Sequence, residues 1–144
     1  MDDDILGPID YLAVEFPGGR VTGEEFQVLM DLVQRGVIRV LDLEFIARSG
    51  DGSVRRVALD DIEHSPDVDV ALWAGAESHL LDQSDFDVFA SDIAPGSVAS
   101  ILVYENVWEA PLLAAIGHSR AQIVGAGRVT ADDLMSALDA SDHD

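Results

Sequence analysis

The stretch from Val37 to Leu59 constrains the fold more than any other. Residues 37–47, VIRVLDLEFIA, are rich in branched and aromatic side chains and read as a strand. The following SGDG at 49–52 is a tight turn, because glycine supplies the positive φ that short hairpin loops need. Val54 to Leu59 then returns as a second strand. A chain carrying such a hairpin is committed to a sheet with at least one antiparallel pair.

The rest of the chain places helices and strands around this hairpin. IDYLAVEF at 9–16 alternates as a strand does, with Leu12, Val14 and Phe16 on one side and Tyr11, Ala13 and Glu15 on the other. Pro17-Gly18-Gly19 ends it. Thr22 with Glu25 three residues on has capping-box spacing. Phe26, Leu29, Met30 and Val33 then share a helical face, and Gly36 suits the helix stop. DDIEHSPDVD at 60–69 reads as a loop, Val70–Leu81 as a helix, and Ser84 with Asp87 as the start of a short helix to about Ile93. Pro95 and Gly96 lead into a strand over 98–105. Asn106 is placed as an N-cap, with Trp108, Leu112, Leu113 and Ile116 at helical spacing after it. Ala121 to Val129 reads as a fifth strand, and Thr130 with Asp133 opens a last helix.

The order β-α-β-β-α-β-α-β-α predicts an α+β layered sandwich: a ferredoxin-like split βαβ core (βαββαβ) extended by a C-terminal α-β-α. Helices are expected on one face of the sheet. The other face is then solvated, covered by the added elements, or covered by a second subunit, which makes a homodimer an expectation. The expected organisation is an acidic tail over 1–8, one domain over 9–138 and a disordered acidic tail over 139–144.

Composition narrows the function classes. The 144 residues are 48% apolar, enough for a core without staples. There is no cysteine, which excludes disulfides, thiolate catalysis and thiolate metal sites. With 28 acidic residues, 8 arginines and no lysine, the net charge is −20. Such a chain repels phosphate backbones, so no nucleic-acid partner and no anionic membrane surface is expected. The longest uncharged run, Ala94–Tyr104, has 11 residues, whereas a spanning helix takes about 20. The acidic N-terminus lacks the basic and apolar regions of a targeting segment. The expectation is a soluble, cytoplasmic protein with no membrane span.

Three stretches, GPIDYLAVEFPG (7–18), LVQRGVIRVLDLEFIARSGDGSV (32–54) and APGSVASILVYENVWE (94–109), resemble a bacterial family of short proteins of unknown function. Some of its relatives are labelled predicted membrane proteins. The resemblance runs from about residue 7 to 138 and implies no reaction and no catalytic residues.

Several constellations have the residue types for chemistry. Glu15, Glu44 and Glu105 lie in or at the end of strands, and a ferredoxin-like order would bring Glu15 near Glu105. Half-buried carboxylates can act as acid and base or hold a cation. The competing reading pairs them with Arg39, Arg48 or Arg56 or leaves them in water. DDIEH at 60–64, with Asp67 and Asp69, carries ligand-type residues but lacks the EF-hand pattern, so no metal is assigned. His64, His79, His118 and His143 are scattered, and no nucleophile-elbow motif occurs. GAGR at 125–128 lacks the third glycine of a dinucleotide fingerprint, and no cofactor is expected. Tyr11, Trp73, Tyr104 and Trp108 are candidates for a pocket or an interface. Glu15, Glu44, Tyr104 and Glu105 are therefore the candidate ligand-binding residues, and no catalytic residue is assigned. The leading reading is a non-catalytic module that binds itself or another protein. The alternative is a small-molecule-binding domain or enzyme of the dimeric ferredoxin-like sort using strand carboxylates.

Overall fold

The computed structural model describes residues 6–127 and 131–142. The chain divides into two compact units, residues 1–114 and 115–144. The first unit is built on a four-stranded sheet.

Strand β1 (Ile9–Phe16) is followed by a 3-10 turn and the short β2 (Arg20–Val21). Helix α1 (Gly23–Gln34) follows, with Glu24 and Glu25 in its first turn, where the helix dipole favours carboxylates. The Thr22 hydroxyl donates to Glu25 Oε2 (2.5 Å), so the capping-box pair meets side chain to side chain. Gly36 follows the helix at φ 72°, which a glycine adopts without strain. Strands β3 (Arg39–Arg48) and β4 (Val54–Val57) form the hairpin. The expected loop at 60–69 contains a two-residue strand, β5 (Glu63–His64), which pairs in parallel with β2. Helix α2 (Val70–Ala74) is one short turn and a half, not the helix over 70–81 that the pattern predicts, because Gly75 ends it. Helix α3 (Gln83–Phe89) is capped two residues earlier than Ser84, by Asp82 in a full capping box with Asp85. Strand β6 (Val98–Glu105) matches its expected bounds. A 3-10 turn over Val107–Glu109 then leads into α4 (Ala110–His118).

In the second unit, helix α5 spans Ala131–Asp142, continuing beyond the expected domain end at 138. The expected fifth strand is not formed over residues 121–127; residues 128 and 129, and the proposed cap Thr130, lie outside the described residues. Two glycines in seven residues leave that stretch few side chains to pack on a pleated surface.

The sheet order is β1-β6-β3-β4, and every neighbouring pair is antiparallel. β1 and β3 run in the same direction, each antiparallel to β6 between them. The sheet order expected of a ferredoxin-like core, with the first strand between the third and fourth, is not the order found: the last strand of the sheet takes the central place. β6 pairs along both of its edges, with β1 and β3, and its residues 99–101 are buried.

One face of the sheet carries Leu43 and Phe45 beneath Phe26 of α1 and Trp73 of α2, whose rings are 5.1 Å apart. The opposite face carries Ile46, Ala99 and Ile101 beneath Phe86 of α3 and Ile93. Helices on a single face were expected; here both faces receive cover, which is why residues 42–46 are buried without interruption. A β-bulge between Val40 and Asp42 sets the phase. It places Arg39, Asp42, Glu44 and Ile46 together on the α3 face, opposite Glu105, Val103, Ile101 and Ala99 of β6.

Candidate functional site

The α3 face holds the strand carboxylates, and each of them binds a crossing segment. Glu105, 4% exposed, pairs with Arg39 (2.8 Å) and accepts from the Gly7 N–H (2.8 Å). Residues 7 and 8 are thereby tied to the sheet, together with the Asn106 N–H bond to the Pro8 carbonyl (2.8 Å). Gly7 is required there, since a Cβ would lie 1.9 Å from the Asn106 carbonyl oxygen. Glu15 accepts from the Ala94 N–H (2.8 Å). Glu15 and Glu105 do not come together: their register partners are Ala99 and Ile9, at opposite ends of the β1–β6 ladder. Six residue steps separate them, about 20 Å along the strands.

Between them lies a buried polar cluster that periodicity alone does not announce. Asp42 and Glu44 are both fully buried and sit two residues apart on β3. Asp42 accepts from the N–H groups of Ser78 (2.7 Å) and Leu80 (3.3 Å). Glu44 accepts from Arg56 Nε (2.6 Å) and the Leu81 N–H (3.3 Å). Arg56 closes the loop by donating to the Leu81 carbonyl (2.8 Å), and its guanidinium lies 5.0 Å from the centre of the Phe86 ring. The two carboxylates thus replace the missing second half of the predicted 70–81 helix as partners for its backbone. Burial, and then the hydrogen bond to Asp42, push the Glu44 carboxyl from 4.5 up to about 7, against the opposing pull of Arg56.

Glu44, Glu77 and His79 have donor atoms within 4.8 Å of one another, a set that suits a divalent cation. Arg56 Nε is 3.4 Å from Glu77 Oε1 as well as 2.6 Å from Glu44, so a guanidinium already supplies positive charge between the two carboxylates. His64 turns its Nδ1 to the Ile62 carbonyl (2.7 Å), away from this cluster.

The other face carries a cavity. Between α1 and the β1–β6 half of the sheet lies an apolar cleft of about 420 Å³. Leu12, Val14 and Phe16 of β1, Leu102 and Tyr104 of β6, and Val28, Leu29 and Leu32 of α1 form its walls. Tyr104 is the one candidate residue of the four that lines it. Trp108 and Asn106 stand at one end, with Trp108 Nε1 donating to Asn106 Oδ1 (3.3 Å). Asn106 does not cap a helix through its side chain; its amide donates to the Pro8 carbonyl (3.0 Å) and Asp10 Oδ2 (2.9 Å). Glu25 and Ser100 stand toward the other end.

With this geometry in view, residues 5–142 match the model of one protein family. The chain belongs to the DUF6325 family, a family of unknown function. No curated protein and no solved structure matches it. Family membership thus agrees with the resemblance read from the sequence and assigns no reaction. Among the described residues, no helix is long and apolar enough to cross a membrane.

Proposed function

We propose that this chain is a non-catalytic module that associates with a second copy of itself through the edge strand β1. The observation that carries the reading is the exposure of β1. It forms one end of the sheet, and apolar side chains stand exposed on both of its faces, Ile9 and Tyr11 on one and Leu12 and Val14 on the other. A long edge strand of this kind is a template for pairing. Antiparallel pairing of two β1 strands about a twofold axis at Ala13 sets Leu12 against Val14, Tyr11 against Glu15 and Asp10 against Phe16. No carboxylate then faces another, which like-charge repulsion would otherwise penalise. The charge of −20 on each chain opposes association, so added salt is expected to strengthen the dimer.

The test is light scattering on the eluting protein at micromolar concentration and at low and high salt. Twice the chain mass is expected at high salt, and the chain mass for Leu12→Lys. A monomer under every condition refutes the proposal. The small-molecule alternative draws on a separate observation, the apolar cleft beside Tyr104. The strand carboxylates give it less support, because they lie across the sheet from that cleft.

A further inference from the structure

The cleft has a chemical character that selects an occupant. Its volume of about 420 Å³ falls within the roughly 300–1,000 Å³ of small-molecule sites. Along β6 its wall runs from Ser100 to Tyr104, four residue steps or about 14 Å, and apolar side chains of β1 and α1 face one another along that length. This is a slot for an extended aliphatic chain. Its polar groups are at the ends. At one end the Asn106 and Trp108 side chains bond each other and the β1 segment. At the other stands Glu25, the one charged residue among the described lining residues.

Glu25 stands in the first turn of α1, where its carboxyl oxygen accepts from the Thr22 hydroxyl. Glu24 lies beside it and is exposed. No arginine lines the cleft among the described residues, and the chain has no lysine. A carboxylate-headed chain entering here meets like charge locally and from the whole molecule. An ammonium-headed chain meets opposite charge in both.

We infer that the cleft between α1 and the β1–β6 strands binds a cationic amphiphile, an aliphatic amine whose ammonium group lies at Glu25 and whose chain runs along Leu12, Val14, Leu29 and Leu102 toward Trp108. The inference rests on the small-molecule reading of the cleft and not on dimerisation, since every wall residue comes from one chain. Trp108 is 56% exposed and lines the end of the cleft away from Glu25, so a chain tail that covers it reports on its fluorescence.

The experiment uses the full chain and three ten-carbon probes, decylammonium, decanol and decanoate, each kept below its aggregation limit. Calorimetry reads affinity and Trp108 fluorescence reads location. Saturable binding of one decylammonium per chain is expected, with a blue shift of Trp108 emission and decanoate bound at least tenfold more weakly. Glu25→Gln is expected to weaken decylammonium about fivefold, the order of a partly exposed ion pair, and to leave decanol unchanged. Val14→Phe, which fills the slot, is expected to weaken both, and circular dichroism checks that it folds. Decanol bound as tightly as decylammonium, or a Glu25→Gln protein that binds decylammonium unchanged, overturns the amine assignment while sparing the cleft. No saturable binding of any probe overturns both.

Discussion

Glu44 offers a direct way to weigh the buried cluster. Its carboxyl is fully buried, and burial with the Asp42 hydrogen bond raises it from 4.5 to about 7. In the unfolded chain it titrates near the ordinary value. Between pH 4.5 and about 7 the folded protein therefore holds a proton that the unfolded chain has released, and stability falls as pH rises through that window. Each pH unit weighs about 1.4 kcal/mol, so ionising this group costs the fold about 3 kcal/mol by pH 8. Glu44→Gln keeps the shape and keeps an acceptor for Arg56 or the Leu81 N–H, but carries no proton to lose. Urea unfolding followed by fluorescence of the buried Trp73 measures both proteins at pH 4.5 and pH 8. The general repulsion among the other acidic groups acts on both and cancels in the comparison. The unmodified chain should lose about 3 kcal/mol more than the variant over this range, roughly 10 °C in melting temperature for a chain of this size. Asp51 and Asp82 do not confuse the result. Asp51 is lowered first by the Ser53 N–H and Asp82 first by the Ser84 hydroxyl, so both lose their contribution only as pH falls below the usual carboxylate range. Parallel pH profiles for the two proteins would refute the reasoning: the cluster would then hold Glu44 ionised through its contact with Arg56.

Two further substitutions test the segments that cross the α3 face. Phe86→Ala removes a ring that is 2% exposed and packs on Ile46 and Ile101 under Arg56, and a loss of about 3–5 kcal/mol in urea unfolding is expected. Gly7→Ala puts a methyl group where the Asn106 carbonyl stands and displaces the N–H bonded to Glu105. A loss of about 2 kcal/mol is expected, the scale of a hydrogen bond to a charged group, and an unchanged unfolding midpoint would show that residues 6–8 contribute nothing to the fold.

The elements legible in the sequence are those whose signals are local. β1, β6 and the hairpin were set by alternation and by turn residues, and α1 by Phe26, Leu29, Met30 and Val33 with Gly36 after them. What escaped is decided by contacts between distant segments. The bulge at Leu41 has no turn residue to announce it, yet it alone puts Arg39 on the same face as Glu105. The order of the strands escaped for the same reason, since nothing local says that β6 rather than β1 is central. The Val70–Leu81 pattern looks helical because its apolar residues do pack. Past Gly75, however, the backbone turns from its own carbonyls to the carboxylates of Asp42 and Glu44.

That exchange bears on what the cluster is able to do. Glu44 and Glu105 are candidates in the sequence because half-buried strand carboxylates can act as acid and base or hold a cation, and the structure buries both. The cost is met by N–H groups of loop 77–82, by the N-terminal segment and by two arginines, so each carboxylate fastens a piece of chain across the sheet. For Glu44 to act on a substrate, the loop bearing Ser78, Leu80 and Leu81 would have to leave it, and the buried acids of Asp42 and Glu44 would lose the N–H groups that now bond them. Buried acids stripped of hydrogen bonds cost several kcal/mol apiece. The cleft on the opposite face asks for no such rearrangement, because its walls are already apolar and its one carboxylate, Glu25, already stands in water. The sheet thus separates two kinds of surface: on one face buried carboxylates that hold crossing segments, on the other an open apolar cleft.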